Sequence, residues 1–183
     1  NSILRGLKVP PLRSEEVIGC RLYTGPMFEK YNATLRRRSG VPYFTSNYQN
    51  KCKGNLYATT IWVINAAIIK LSKQTVVNRV DRGVSGFELP SALKKRDMYN
   101  VMGGVEYAFL STTTDRKVAM NYAGANKSTG QNDKRFGIVI EIQPGLVDRG
   151  ADLSWLSQYP HEAEILFAPL TALEVLDRRI EEN

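Results

Sequence analysis

The pattern with the clearest chemical potential is a pair of glutamates two residues apart, Glu162 and Glu164. In an extended segment both carboxylates would lie on one face, and the next residue on that face would be Leu166. Two such carboxylates raise each other's pKa unless a cation or hydroxyl groups stabilise them. The apolar residues 165–167 predict a central strand, which makes the pair a candidate catalytic site. A solvated pair of surface glutamates is the alternative.

A second candidate is Arg82, which lies in a segment rich in β-branched residues, 76–84. In a strand, Arg82 would share a face with Val80 and Val84. A guanidinium buried there is costly unless an anion or several hydrogen bonds meet it. Arg82 could form a structural salt bridge with a carboxylate of the protein. Alternatively, it could bind a phosphate or another substrate anion, whose shape suits the planar guanidinium.

Three consecutive hydroxyl residues, Ser111, Thr112 and Thr113, stand at the end of a predicted strand over residues 107–111. Taken alone, such a triplet is typical of a strand end or a helix cap. A Ser–His catalytic triad is not supported, because the sequence has one histidine, His161, and no visible geometry that would bring it to a serine.

Metal chemistry is not expected, because one histidine and two cysteines without a Cys-x-x-Cys motif provide almost no zinc ligands. The cysteines, Cys20 and Cys52, could form a disulfide in an oxidising compartment or remain two free buried thiols.

The net charge of +7 is unevenly distributed. Residues 1–100 hold 17 Lys and Arg against 6 Asp and Glu, whereas residues 101–183 hold 8 against 12. Basic runs at 36–38 and 94–96 could contact nucleic acid or an acidic partner, but without a recognition motif we interpret them as a solvated basic face. A nucleic-acid partner is therefore not expected. The basic half could also attract a pyrophosphate.

The elements that must position these residues change type along the chain. Residues 1–55 are predicted to form short helices and loops, and residues 56–73 the clearest helix, with an apolar stripe at helical spacing. Strands are predicted at 76–84, 107–111, 137–143, 162–167 and 173–176, with a helix starting near Asp115 and a long loop over 145–161. Helices first and short strands last indicate an α+β fold. No G-x-G-x-x-G motif follows a strand, so Rossmann-type NAD binding is not supported.

The longest apolar run, residues 61–69, contains Asn65 and is shorter than the roughly 20 residues that a membrane span needs. The sequence begins at Asn1 without a charged and then apolar leader, so we expect a signal peptide to be absent or removed. Because the sequence does not begin with Met, we expect an excised domain or a processed form. Secreted and cytoplasmic localisation both stay open.

Taken together, an arginine in a strand, a strand-end serine and an E-x-E pair in that order are more specific than any one part. The stretches 80–84, 108–113 and 159–167, with the helix 58–71 before them, resemble the Arg–Ser–Glu clade of mono-ADP-ribosyltransferases. That clade includes vertebrate arginine-specific ecto-enzymes and several bacterial toxins. The resemblance departs at Thr113, where the family usually has Ser, and at Asp81, where an aromatic residue often precedes the arginine.

The resemblance implies a single domain with the ADP-ribosyltransferase fold, in which N-terminal helices pack on two small antiparallel-rich sheets flanking an NAD cleft. Residues 56–183 would form the NAD-binding core, and residues 1–55 an N-terminal helical and loop region of the same domain. NAD would be the cosubstrate, without a metal, and the partner would be a protein acceptor with an exposed arginine. Nicotinamide leaves NAD as a neutral molecule, so the site must mainly stabilise a positively charged ribose and orient a nucleophile.

The resemblance also implies roles for single residues. Glu164 would grip a ribose hydroxyl, with Ser111 keeping it aimed, and Glu162 would orient or deprotonate the acceptor arginine. Arg82 would bind the phosphate side of NAD, and the Gly83 backbone would hold the nicotinamide amide. Other expected contacts come from Thr112 and Thr113 beside Ser111, from Tyr122 stacking on nicotinamide, and from Trp155 and Tyr159 in an acceptor-recognition loop over 150–161. The alternatives are an NAD glycohydrolase and an inactive fold member that only binds a nucleotide or a protein.

Overall fold

The computed structural model describes residues 1–86, 89–124, 137–145 and 147–180, and its N-terminal part is helical. Five α-helices come first: α1 (Ser2–Gly6), α2 (Ser14–Leu22), α3 (Phe28–Arg36), α4 (Pro42–Cys52) and α5 (Ala58–Leu71). A π-helical turn, Tyr23–Met27, joins α2 to α3 and contains Pro26. After α3 the chain reaches Gly40, whose φ of 76° suits glycine. Pro42 is the first residue of α4, where a backbone N–H would have no partner within the helix, so the missing N–H of proline costs nothing.

Helix α5 confirms the predicted apolar helix, with its ends trimmed by two residues on each side. It begins at Ala58 because Tyr57 adopts a left-handed backbone conformation, with φ of 47°. The stripe formed by Ile64, Ile68 and Leu71 is fully buried. Helix α2 packs closely against α5, since a Cβ atom added at Gly19 would lie 2.8 Å from a methyl group of Val63.

Among its described residues, the C-terminal part contains seven short strands and one further α-helix, α6 (Arg116–Ala123). The strands are β1 (Val80–Val84), β2 (Gly103–Glu106), β3 (Leu110–Thr113), β4 (Ile138–Ile142), β5 (Ala151–Asp152), β6 (Glu164–Phe167) and β7 (Thr171–Glu174). Five of them form an antiparallel sheet in the order β4-β1-β3-β6-β5, and β2 pairs antiparallel with β7 in a second sheet. Helices followed by short antiparallel strands confirm the predicted α+β class.

Strand β6 lies within the core, as its apolar residues predict, and all four of its residues are buried. Its side chains alternate between two apolar clusters, as expected of a strand. Leu166 joins Phe109 and the helical residues in one cluster, while Ile165 and Phe167 join Val80, Ile142 and other residues in the second. The five-stranded sheet therefore has the helices on one face and a separate apolar cluster on the other.

Several predicted strand boundaries are wrong by a few residues. The strand predicted over 107–111 spans Leu110–Thr113, that over 173–176 spans Thr171–Glu174, and that over 76–84 begins only at Val80. The strand predicted over 162–167 begins at Glu164, because Pro160–Glu162 form a 3₁₀ turn and Ala163 is left-handed. The loop predicted over 145–161 also contains strand β5, and β2 was not predicted.

The cysteines Cys20 and Cys52 are both buried and free, so of the two alternatives the structure has the separate thiols. In the described ranges of the chain, no helix has the length and apolar character of a membrane span.

Candidate active site

The hydroxyl of Ser111 and the carboxylate of Glu164 meet between two neighbouring strands. Strands β3 and β6 pair so that Thr113 lies opposite Glu164 and Ser111 lies opposite Leu166, which places Ser111 and Glu164 on one face. Ser111 Oγ donates a hydrogen bond of 2.5 Å to Glu164 Oε1. Only 6% of Glu164 is exposed, so its carboxylate is held in a fixed and largely dry position.

Burial makes Glu164 a weaker acid than an ordinary glutamate. The loss of hydration on burial raises its pKa from 4.5 to about 7, although the Ser111 hydrogen bond lowers it. The nearby Glu162 carboxylate raises the pKa further, and the Arg82 guanidinium lowers it. Glu164 therefore titrates close to neutral pH, as strongly perturbed carboxyl groups at functional sites often do.

Arg82 reaches the same point from β1, the strand next to β3. Its Nη1 donates a hydrogen bond of 2.6 Å to the backbone carbonyl of Ser111. Burial lowers the pKa of Arg82, and the neighbouring Arg36 lowers it further. No carboxylate of the described residues lies within ion-pair distance of Arg82, and the carbonyl of Ser111 is its partner instead. Arginine, serine and glutamate are thus joined through Ser111.

A charged pair that the sequence did not indicate lies beside Arg82. Arg36, the last residue of α3, makes two parallel hydrogen bonds of 3.0 Å to Glu106, the last residue of β2. Burial would raise the pKa of Glu106, but the bond to Arg36 holds it below its usual value. The prediction that residues 36–38 belong to a solvated basic face is wrong for Arg36. The Arg36 side chain is only 25% exposed, and the adjacent Arg37 stacks on the ring of Tyr48.

The two glutamates of the E-x-E motif do not lie on one strand face, in contrast to the prediction. Glu162 ends the 3₁₀ turn, and Ala163 adopts φ of 45° and ψ of 49°, a left-handed conformation uncommon for alanine. The amide of Thr114 donates to the Ala163 carbonyl at 3.2 Å, which helps to hold this conformation. The chain therefore turns between the two carboxylates, leaving Glu164 buried and Glu162 partly exposed.

The two threonines after Ser111 bind backbone of the E-x-E segment. Thr112 Oγ1 donates to the carbonyl of Ile165 at 2.7 Å, and Thr113 Oγ1 donates to the carbonyl of Glu162 at 2.6 Å. Thr113 thus fixes the backbone of Glu162, and both threonines are buried. In this structure the hydroxyl protons of both threonines are therefore used in hydrogen bonds to backbone carbonyls of the protein.

Gly83 lies against helix α6. A Cβ atom added at Gly83 would come within 1.8 Å of the carbonyl oxygen of Ala119, so only glycine allows the helix to approach β1 this closely. The resemblance implies a backbone contact between Gly83 and nicotinamide, and the packing on α6 independently requires glycine at this position.

The aromatic residues expected to contact substrates lie at the surface. Tyr122 on α6 is 58% exposed, and its hydroxyl donates to Glu162 Oε1 at 2.6 Å. Tyr159 packs edge to face against His161, with ring centres 6.2 Å apart. Trp155 is also exposed, and its Nε1 donates to the carbonyl of Asp152 at 3.1 Å. The structure brings Tyr122 to the E-x-E motif, which the sequence did not indicate.

The loop over 150–161 is attached to the helical part of the chain. Arg21 Nη1 donates to the carbonyl of Leu156 at 2.8 Å, and Gln158 Nε2 donates back to the carbonyl of Arg21 at 2.9 Å. The amide of Gln158 also donates to Thr24 Oγ1 at 3.0 Å. The exposed aromatic residues of the loop therefore project from an anchored segment.

Comparison with solved structures identifies the fold as that of ADP-ribosyltransferases. The ADP-ribosyltransferase HopU1 of Pseudomonas syringae is 20% identical, with 88% of this chain and 69% of that chain covered and a TM-score of 0.61. The Vis toxin from Vibrio splendidus is 21% identical, with 94% and 69% covered and a TM-score of 0.62. Exoenzyme S from Pseudomonas aeruginosa is 21% identical, with 93% and 69% covered and a TM-score of 0.57.

Ligands are present in some of these neighbours: Vis has been solved with agmatine, and Exoenzyme S with carba-NAD and human 14-3-3 protein beta. No protein-family model matches the sequence, and comparison with curated proteins gives no significant match. The structural likeness confirms the predicted fold.

Proposed function

We propose that this chain is a mono-ADP-ribosyltransferase, which cleaves NAD at the nicotinamide–ribose bond and transfers ADP-ribose to an arginine of a protein acceptor. One observation carries the proposal. A buried glutamate, Glu164, is held by Ser111 beside Arg82, while a second glutamate, Glu162, lies nearby at a more exposed position. This arrangement matches the two needs of the reaction, a fixed negative charge for the sugar and a second carboxylate for the acceptor.

Glu164 is the group proposed to face the ribose. As the C1′–N bond breaks, its electron pair stays with nicotinamide, which leaves as a neutral molecule, and positive charge develops on the sugar. A buried, preoriented carboxylate stabilises such charge more effectively than water does. Ser111 contributes by fixing the orientation of the carboxylate and by favouring its charged form.

The donor set around Arg82 fits the phosphate side of a dinucleotide. Arg82 and Arg36 lie close enough for each other's charge to matter, and guanidinium groups suit phosphate oxygens. Arg36 is held by Glu106, so we assign the phosphate contact first to Arg82. The backbone of Gly83 and the ring of Tyr122 are proposed to contact nicotinamide, and Thr112 and Thr113 to support the NAD site through the backbone that they hold.

Glu162 is the group proposed to face the acceptor. A free arginine side chain keeps its proton throughout the physiological pH range, so it approaches the site as a cation. A carboxylate can orient this guanidinium and accept the proton that the attacking nitrogen loses as the new C1′–N bond forms. The exposed Trp155 and Tyr159 are proposed to contact the acceptor protein. The agmatine complex of Vis supports a guanidine as the acceptor class, because agmatine carries that group.

An NAD glycohydrolase is the second candidate, because Glu162 is partly exposed and its carboxylate could act on water in place of a guanidine. A direct test distinguishes the candidates: the protein is incubated with labelled NAD, with and without agmatine, and free ADP-ribose, ADP-ribosyl-agmatine and nicotinamide are quantified. The proposal expects agmatine adduct and an acceleration of nicotinamide release by agmatine. Release of nicotinamide without adduct would favour the glycohydrolase, and absence of any release would leave an inactive binding module.

A further inference from the structure

Tyr122 and Glu162 come from separate elements and meet at the rim of the site. Tyr122 lies on α6, one residue before its end, and Glu162 is the last residue of the 3₁₀ turn. They are 40 positions apart in the chain, and the hydroxyl donates to Glu162 Oε1 at 2.6 Å. A short bond from a neutral hydroxyl to a carboxylate is one of the stronger side-chain hydrogen bonds.

The backbone of Glu162 is fixed independently of this bond. Its carbonyl accepts the hydroxyl of Thr113 at 2.6 Å, and its amide donates to the carbonyl of Tyr159 at 3.0 Å. These contacts leave the three side-chain torsions of the glutamate free, and a partly exposed glutamate normally samples several rotamers. Among the residues that the structure describes, Tyr122 provides the hydrogen bond that restricts these torsions.

Tyr122 is suited to this role because its hydroxyl stays protonated and can always donate, and because its helix is anchored. The bond to Glu162, and after it burial, raises the pKa of Tyr122 to about 12, so the hydroxyl keeps its proton at neutral pH. Helix α6 is capped by the side chain of Asp115, which accepts from the amide of Lys117 at 2.8 Å, and it packs directly on Gly83. A group mounted on such an element positions its partner more precisely than one on a loop.

We propose that Tyr122 is a positioning residue, whose hydroxyl aims the Glu162 carboxylate at the acceptor and thereby sets the ratio of transfer to a guanidine over transfer to water. The inference rests on the function proposed above. It assigns to the hydroxyl a task distinct from any stacking by the ring. Water needs little orientation, whereas a guanidinium must be held in one geometry, so loss of the hydroxyl affects the two acceptors unequally.

The test uses Tyr122→Phe, which keeps the ring and removes only the hydroxyl. The ratio of agmatine adduct to free ADP-ribose is expected to fall about tenfold, because the guanidine loses an oriented carboxylate on which water depends much less. Tyr43→Phe is the matched control, because Tyr43 is an exposed tyrosine on α4 and its variant loses the same group. In a Glu162→Gln background, Tyr122→Phe should cause no further loss of transfer, since both changes remove one interaction.

Three outcomes would overturn the inference. The ratio of transfer to hydrolysis could be unchanged in Tyr122→Phe, both activities could fall together, or the two substitutions could act additively. A spectroscopic titration tests the contact independently of turnover, because Glu162→Gln should lower the pKa of one tyrosine from about 12 toward its ordinary value of 10. An unchanged titration would likewise refute the contact. Wild-type protein that releases no nicotinamide while showing the tyrosine shift would refute the proposed function, and with it the effect on transfer, while confirming the contact between Tyr122 and Glu162.

Discussion

Ser111 and Glu164 are 53 positions apart in the chain and are joined by a hydrogen bond of 2.5 Å between the hydroxyl and the carboxylate. The bond opposes burial, which raises the pKa of Glu164 to about 7. The ionisation of the proposed catalytic glutamate therefore depends on a serine from the neighbouring strand.

Ser111→Ala should shift the pH dependence of NAD cleavage to higher pH. In the proposed function the active form of Glu164 is the carboxylate, so the rate should rise with pH through a pKa of about 7 in the wild type. Without the serine the charged form loses a donor, and the inflection of kcat/KM should move upward. Ser46→Ala, at an exposed position of α4, is the control. An inflection that stays in place would show that Ser111 does not tune Glu164.

Glu164→Gln should reduce both transfer and hydrolysis by a factor on the order of 10²–10³ without unfolding the protein. Because the folded-state pKa is raised from 4.5 to about 7, the folded protein binds this proton more tightly than the unfolded chain does. The contribution of Glu164 to the free energy of unfolding therefore falls as pH rises through this window. Denaturant unfolding across the window should show this slope in the wild type and lose it in the variant. Near wild-type turnover would refute the assignment.

Arg82→Ala should weaken NAD binding and lower the melting temperature. The variant loses a charge beside the proposed phosphate site and the 2.6 Å bond to the Ser111 carbonyl, a loss of about 1–3 kcal/mol for such a bond. Arg82→Lys should restore binding only partly, because a point charge lacks the planar fork. Calorimetric titration with NAD measures the affinity of the two variants, and thermal unfolding measures their melting temperatures. The exposed Arg38→Ala is the control for net charge. Unchanged affinity in Arg82→Ala would leave a purely structural role.

Glu162→Gln should strongly reduce transfer to agmatine, to a low but measurable rate, while leaving measurable nicotinamide release into water. The amide keeps the size of the side chain but cannot accept the proton that an arginine nitrogen must lose. Quantifying adduct and free ADP-ribose in the same reaction separates the two activities. A parallel fall of both would contradict the assignment of Glu162 to the acceptor.

Gly83→Ala should destabilise the protein, because its methyl group would lie 1.8 Å from the Ala119 carbonyl oxygen. Overpacking of this kind typically costs about 1–3 kcal/mol, and a backbone atom cannot move aside as a side chain can. Gly104→Ala is the matched control: it also lies in a strand, and the nearest atom to its added Cβ is 4.0 Å away. Thermal unfolding compares the two. Equal melting temperatures would mean that α6 moves away at little cost.

The sequence was sufficient to predict the α+β class and the order of the arginine, serine and glutamate elements. These predictions rest on local signals: the apolar stripe of α5, the β-branched run before Arg82 and the apolar residues after Glu164. Such signals are encoded within a few residues, so they survive without knowledge of tertiary contacts. Strand β2 was missed because it begins with Gly103 and Gly104, which are poor strand formers.

The geometry within the site was less predictable. Ala163 is left-handed, and nothing in its residue type indicates this, since alanine disfavours that conformation. The contacts of Thr114 and Thr113 with this segment come from another strand. The pair between Arg36 and Glu106 joins residues 70 positions apart, which no local pattern encodes.

The anchoring of the loop before the E-x-E motif has a consequence for how a partner protein would bind. Arg21, Thr24 and Gln158 link this loop to the first helices, and a Cβ atom added at Gly25 would meet the Gln158 amide at 2.2 Å. A segment already ordered in this way loses little conformational entropy when another surface closes on it. Recognition by Trp155 and Tyr159 would thus resemble the docking of a preformed surface, and affinity would depend on shape match more than on folding of the loop around its target.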